Sequence, residues 1–299
     1  MLMLALLGCS SPPPPSARAP EPVGTPLPPG LDLTLRADLA SLRAELGQEL
    51  ARQVLRDAFS DRASAERGPP PLLDSALDRS DVLWLGFPSL AEQAQPENVL
   101  LLRGHFASLG SGDPAARWSG DGSGLASLEL PENGAAGYVR VYRAPGDELL
   151  AWASRSTRDT LERALRSRSR EQVMRPPERG AVSVAARPGP LLERYSVRYP
   201  ELVERFRGLR RVEAFAEPSG SAWRADLTLD FDTPEQAREA SQVAERLREV
   251  MAQRACAVGA LARTLSITTF ERNLRVTAAL LGPELDVVRS CVLGDGCCA

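Results

Sequence analysis

Apolar and polar residues alternate at the start of the body. Leu31, Leu33 and Leu35 face one way against Asp32, Thr34 and Arg36, which predicts a strand with its leucine side buried. The period then lengthens. Leu39, Leu42, Leu46, Leu50 and Val54 recur at helical spacing and predict an amphipathic helix from Leu39 to about Phe59. A polar break over 60–71 holds Gly68-Pro69-Pro70-Pro71, and a short helix follows over Leu72–Leu77. Val82–Phe87 and Val99–Leu102 are short apolar runs bounded by breakers, which suits buried strands. Residues 107–136 are rich in Gly, Ser and Asp and read mostly as loop. Tyr138–Tyr142 and Leu149–Trp152 predict a hairpin across Ala144-Pro145-Gly146-Asp147, and Ser156 caps a helix running to about Arg168.

A second section repeats the order. Val182, Val184 and Ala186 alternate as a strand. Leu191, Leu192 and Tyr195 begin a helix that Pro200 interrupts before a piece carrying Leu202, Val203 and Phe206. Val212–Ala216 is a strand, and Trp223, Ala225, Leu227, Leu229 and Phe231 form the clearest alternation in the chain. Thr233-Pro234-Glu235-Gln236 fits a capping box opening a helix striped by Ala237, Ala240, Val243, Leu247 and Val250. Strands over Leu265–Phe270 and Leu274–Leu281 flank Arg272-Asn273, and Pro283 opens a last helix through Val292. The expected fold class is therefore α+β. Two tandem copies of a strand-helix-strand-strand-(insert)-strand-strand-helix unit, over 31–170 and 180–299, form antiparallel or mixed sheets covered by helices.

The N-terminus adds an address. Leu6-Leu7-Gly8-Cys9 closes an apolar run and resembles the lipobox of bacterial lipoproteins. That resemblance implies that residues 1–8 are a signal peptide and that Cys9 is acylated and becomes the mature N-terminus. Eight residues are short for a signal, which implies a start further upstream. Ser10, rather than Asp, follows the cysteine, which by the same resemblance implies the outer membrane and a body facing the periplasm. Residues 9–30 then form a lipidated spacer. Its Pro-rich tract favours extended polyproline II and cannot bury a core. The two-unit body loosely resembles uncharacterised exported proteins of high-GC bacteria.

Cysteine usage follows from that address. With Cys9 acylated, Cys256, Cys291, Cys297 and Cys298 remain, an even number for an oxidising compartment. A direct Cys297–Cys298 bond would close a strained ring, so each is expected to pair with Cys256 or Cys291. A Cys₄ zinc site is the rival, but no C-x₂-C pair occurs, and no metal or cofactor is expected.

Composition narrows the chemistry. All 36 basic residues are arginine against 39 acids, and the net charge of -3 argues against a nucleic-acid partner. His105 is the one histidine, at the end of a predicted strand, and no Gly-x-Ser-x-Gly elbow supplies it with a serine. Asp230 and Asp232 could pair for acid–base work, yet their place before a capped helix explains them through the helix dipole. Gly120-Asp121-Gly122-Ser123-Gly124 lacks the lysine of a phosphate loop and the acids of a calcium loop. Arg163, Arg166, Arg168, Arg170, Arg175 and Arg179 could meet an anionic envelope component, though Glu162, Glu171 and Glu178 dilute them. Trp84, Trp152 and Trp223 fall on strands and read as core. No catalytic residue emerges. The expectation is a non-enzymatic lipoprotein, held to the membrane through Cys9 and acting as a periplasmic interaction or scaffold module. A carrier of a lipid or other apolar ligand is the alternative, and a hydrolase ranks third.

Overall fold

The computed structural model describes residues 26–49, 51–52, 71–88, 97–107, 109, 118–120, 122, 124–130, 138–167, 174–197, 200–220, 222–254 and 257–280. Their first half holds β1 (Leu33–Asp38), α1 (Leu39–Leu46), α2 (Pro71–Asp78), β2 (Ser80–Phe87) and β3 (Val99–Gly104). It continues with β4 (Ser119–Gly120), β5 (Ala126–Glu129), β6 (Tyr138–Arg143), β7 (Leu149–Ser154) and α3 (Arg158–Ser167). The second half holds β8 (Val182–Ala186), α4 (Gly189–Ser196), α5 (Pro200–Arg205), β9 (Leu209–Ser219) and β10 (Ala222–Phe231). It closes with α6 (Pro234–Ala252), α7 (Ala257–Thr264), β11 (Ser266–Phe270) and β12 (Asn273–Leu280).

All of these strands join one 12-stranded sheet in the order β11-β12-β10-β9-β8-β1-β2-β3-β7-β6-β5-β4. Neighbours pair antiparallel throughout. The fold class is thus mixed α and β on an antiparallel sheet. Counted outward from the central β1–β8 pair, the halves run β1-β2-β3-β7-β6 and β8-β9-β10-β12-β11, and β5 and β4 extend the first.

Helices and loops divide the sheet into covered and uncovered regions. On the front of the first half, α1 and α2 seal a core containing Leu39, Leu73, Leu77, Leu100, Leu102 and Trp152. On its rear, α3 and the segment carrying Leu27 and Leu31 seal another with Trp84, Leu101 and Leu161. In the second half a small front core forms where Ala237 and Ala240 of α6 meet Phe231 and Leu274. Local chemistry fixes these helices. The Asp38 carboxylate caps α1 by accepting from the Ser41 N–H at 2.9 Å. The Arg43 guanidinium donates to the Leu77 and Ser80 carbonyls at 2.6 and 2.7 Å, which ties α1 to the end of α2. Thr233 and Gln236 form the expected capping box of α6.

The strand carrying Leu33 and Leu35 reverses the expected burial. Thr34 is 0% exposed, whereas both leucines are partly exposed. The cause is a strap, residues 174–181, that crosses the rear of β1, β8 and β9. The Thr34 hydroxyl donates to the Met174 carbonyl at 2.9 Å, and the Ser183 hydroxyl donates to the Pro177 carbonyl at 2.6 Å. Arg36 donates to the Gly180 carbonyl at 3.2 Å, and Arg179 stacks on Phe215 at 3.9 Å. Gly180 takes φ +79°, and a Cβ there would meet the Ala216 carbonyl oxygen at 2.7 Å.

Other departures have equally local reasons. The expected loop over 107–136 contains β4 and β5, because Ala126–Glu129 completes a ladder against β6 that its own short pattern does not announce. The expected helix from Leu39 is interrupted after Leu46, where Gly47 takes φ +80° and donates to the Arg43 carbonyl at 3.0 Å. It resumes at residues 48, 49, 51 and 52, with the Ala51 N–H donating to the Gly47 carbonyl at 3.1 Å. Residues 53–59 of that expectation lie outside the described residues, as does the Pro283–Val292 helix. The helix expected to be capped by Ser156 begins at Arg158, and the Ser156 hydroxyl bonds to Glu97 instead. Helix α7 has no counterpart among the elements expected from the sequence. In the fold a Cβ at Gly259 would collide with the Arg254 carbonyl, so the glycine serves close packing.

Candidate functional site

The register of the ladders brings a row of cross-strand neighbours onto the front face. Leu85, Leu35, Val184, Ala214, Leu227, Val276 and Ile267 lie side by side from β2 to β11. Every one is apolar and partly exposed. A parallel row, Phe87, Leu33, Ala186, Val212 and Leu229, is partly exposed as well. The two rows form the floor of an apolar trough. Leu42 and Leu72 roof its first end over Leu35 and Leu85. Ala237, Ala240 and Ala244 of α6 roof the other over Leu229 and Ile267. Alanines reach less far than leucines, so that roof leaves the middle strands open. Trp223 is partly exposed on this face, and Leu247 and Val250 on α6 are 50% and 56% exposed.

This floor carries no acid, base or nucleophile. Its chemistry is burial of apolar surface, worth about 25 cal/mol per Å² covered. A contiguous exposed apolar surface of this kind marks a place where a partner or ligand sits.

The rear of the second half is polar. The Asp226 carboxylate, with its side chain 1% exposed, accepts from Arg275 Nε at 3.0 Å and from Arg275 Nη2, with Arg224 at 3.6 Å. Bonding to that carboxylate pushes the Arg275 guanidinium above its ordinary value. Asp230 pairs with Arg272 at 2.9 Å, and Asp232 pairs with Arg210. The two aspartates are therefore each held by an arginine rather than by one another.

A second polar cluster lies under α3. Glu162 accepts from Arg166 at 2.7 Å and from the Tyr142 hydroxyl at 3.0 Å, with Arg140 at 3.6 Å. Arg166 above all holds the Glu162 carboxyl below its usual range, and burial raises the Tyr142 hydroxyl. Near the β1 entry, burial raises the Asp32 carboxyl against the pull of Arg187. Deep in the first core the Tyr138 hydroxyl is buried and without a partner, which pushes it far above its usual value. The Trp118 indole N–H packs against the same core and also lacks a partner.

The residues singled out in the sequence are not brought together. Cys9, Cys256, Cys291, Cys297 and Cys298 lie outside the described residues. His105 is exposed just beyond β3, where its backbone N–H donates to the Arg79 carbonyl at 3.2 Å. The basic run is dispersed: Arg163 donates to the Asp159 carbonyl, Arg166 donates to Glu162, and Arg179 stacks over the Phe215 ring, while Arg168 and Arg170 lie outside the described residues. Trp152 and Trp84 are core residues, 1% and 6% exposed, but Trp223 is partly exposed on the front of β10, separated from the trough rows by Ala225. Gly122 and Gly124 take φ near +80° in a turn between β4 and β5. Among the described residues no group of three His, Cys, Asp or Glu could hold a metal ion, and no helix is long and apolar enough to cross a membrane.

The trough escaped the sequence reading because alternating apolar residues were assigned to a buried core. The available signal is a mismatch of quantity: seven strands contribute apolar residues to one row, while among the described residues α6 is the one helix longer than ten residues.

No family model matches the chain, and no curated protein does. Two solved structures of TP0453 resemble it. Crystal form III superposes with a TM-score of 0.53 at 12% identity, covering 92% of this chain and 99% of that one. Crystal form I gives 0.52 at 13% identity, covering 89% and 96%. At this identity the likeness is one of fold.

Proposed function

We propose that this protein is a non-enzymatic module of the bacterial cell envelope that binds a protein partner along its apolar trough. In this reading Cys9 carries the acyl anchor, residues 9–30 space the body from the outer membrane, and the body faces the periplasm. Cys256, Cys291, Cys297 and Cys298 form disulfides there. The observation that carries the binding site is the row of partly exposed apolar residues from Leu85 to Ile267. A docked helix or strand would cover it and remove the cost of its exposure.

The two halves are two copies of one α+β unit, spanning 31–170 and 180–299. The matching strand succession outward from β1 and β8 supports this. The segment 26–170 expressed alone should unfold cooperatively, and a chain without a cooperative transition counts against the repeat.

A photo-crosslinking amino acid at Val184 or Ala214, in the full chain and its native membranes, tests the trough. One dominant protein adduct is expected from both positions and none from Thr228, on the opposite face. Equal labelling from position 228, or no adduct from the trough, overturns the docking reading.

A second reading, a carrier of a lipid or other apolar ligand, draws on the Tyr138 hydroxyl and the Trp118 indole N–H. Two buried donors without acceptors cost about 1–3 kcal/mol each, and the polar head of an otherwise apolar ligand would satisfy them. Organic extraction of the purified protein should then release a stoichiometric lipid beyond the acyl chains of Cys9.

A further inference from the structure

We propose that β11 is a pairing edge for a second copy of this chain, joined antiparallel about Thr268. This goes beyond the trough, because it uses the end of the sheet rather than its face. Of the two sheet ends, β4 offers only Ser119–Gly120, whereas β11 offers five residues. Edge strands are normally defended by charge, proline or a bulge. Ser266-Ile267-Thr268-Thr269-Phe270 carries no charge and no proline, and its register with β12 is unbroken. Phe270 is 73% exposed. The corresponding strand of the first half, β6, has this same edge filled by the antiparallel strand β5. Beyond β11 no strand follows among the described residues.

Chemistry favours a copy of the same strand as the occupant. Phe270 and Asn273 flank a two-residue loop, so Phe270, Thr268 and Ser266 turn their backbone groups toward β12. Ile267 and Thr269 turn theirs outward. An antiparallel pair centred on Thr268 sets Ile267 opposite the second copy's Thr269 and makes four hydrogen bonds. Thr268 meets itself on the twofold axis, and Ser266 lies opposite Phe270. Further out Leu265 meets Glu271 and Thr264 meets Arg272, so no like charges oppose one another. A charged partner strand would find no complementary charge along β11. The ribbon is short beside a standard interface, so the dimer is weak, with Kd on the order of 10–100 μM.

Sedimentation equilibrium on the full chain carrying Cys9→Ser, under reducing conditions, tests the pairing. A reversible dimer is expected. Thr268→Arg and Thr268→Glu, at an exposed position, should each weaken it by roughly five- to thirty-fold through like charges on the axis. Mixing the two variants in equal amounts should restore dimers. Oxidising Thr268→Cys should give a peptide pair linked through position 268 of both copies. A monomer at all concentrations up to about 100 μM, or a dimer insensitive to both charges, overturns the proposal.

Discussion

The Asp226–Arg275 pair predicts an asymmetry between its two partners. Asp226 is nearly sealed, its side chain 1% exposed, while the side chains of Arg275 and Arg224 are 45% and 49% exposed. Removing the cation leaves a carboxylate that cannot turn to water, with only Arg224 at 3.6 Å to answer it. Breaking a fully buried pair costs about 3–5 kcal/mol and an exposed one under about 1. Arg275→Met, which keeps the apolar stem, should fall between them at about 2 kcal/mol. Asp226→Asn leaves two arginines that can hydrate, and should cost about 1 kcal/mol or less. In the Asp226→Asn background Arg275→Met should add little, giving a coupling of about 1–2 kcal/mol. Urea unfolding followed by circular dichroism reads all four corners. The larger loss corresponds to a fall in Tm of about 4–8 °C for a body of this size. If Asp226→Asn proved the more damaging change, or the two effects simply added, the account of a buried acid held by half-hydrated bases would be wrong.

Other outcomes follow from the same geometry. Thr34→Val should cost about 1–2 kcal/mol by leaving the buried Met174 carbonyl unpaired, and limited proteolysis should then cut faster within 174–181. Gly180→Ala should be worse, since φ +79° and the Ala216 carbonyl both exclude a Cβ; a stability within error of the parent would contradict the strap's close approach. Glu162 has its carboxyl lowered by Arg166, so its stabilisation is complete above about pH 4.5 and is lost as pH falls through the lower folded value. Glu162→Gln should therefore flatten the acid limb of a stability profile, and an unchanged limb would exclude the pair as its source. Glu271 opens the β11–β12 loop at φ +51°, so Glu271→Gly should stabilise by about 0.5 kcal/mol, measurable as a rise in urea midpoint.

Much of the architecture was legible because local patterns and long-range pairing agreed. The alternation from Trp223 to Phe231 and the Thr233–Gln236 capping box each named an element that the fold keeps. Burial was less legible. A strand's period says which residues share a face, but not which face is covered, and that depended on a strap contributed by residues 140 positions from Thr34. For the same reason the trough could not be read. Its floor is a row in which every neighbour comes from another strand, so no stretch of chain contains it. The polar pairs are partly legible: Asp230 and Asp232 are neighbours in the sequence, but their partners Arg272 and Arg210 come from the β11–β12 loop and from β9. His105 and the scattered arginines are single residues without a constellation, and nothing in their spacing would have gathered them.

The central β1–β8 pair has a consequence for biosynthesis. The strands of each half pair only among themselves, and β1 meets β8 across a separation of 151 residues, as from Thr34 to Ala185. The last strand of the first half, β7, ends at Ser154 and β8 ends at Ala186, so at a synthesis rate of about 5–20 residues per second the first half-sheet can form about 2–6 seconds before β8 is complete. Throughout that interval Leu33–Asp38 presents an unsatisfied backbone edge at one end of a finished half-sheet. Another nascent chain carries the same edge, and its own β8 would fit this one equally well. The junction that completes the sheet is thus also where two growing chains could exchange halves, which favours a holding chaperone at this stage of synthesis.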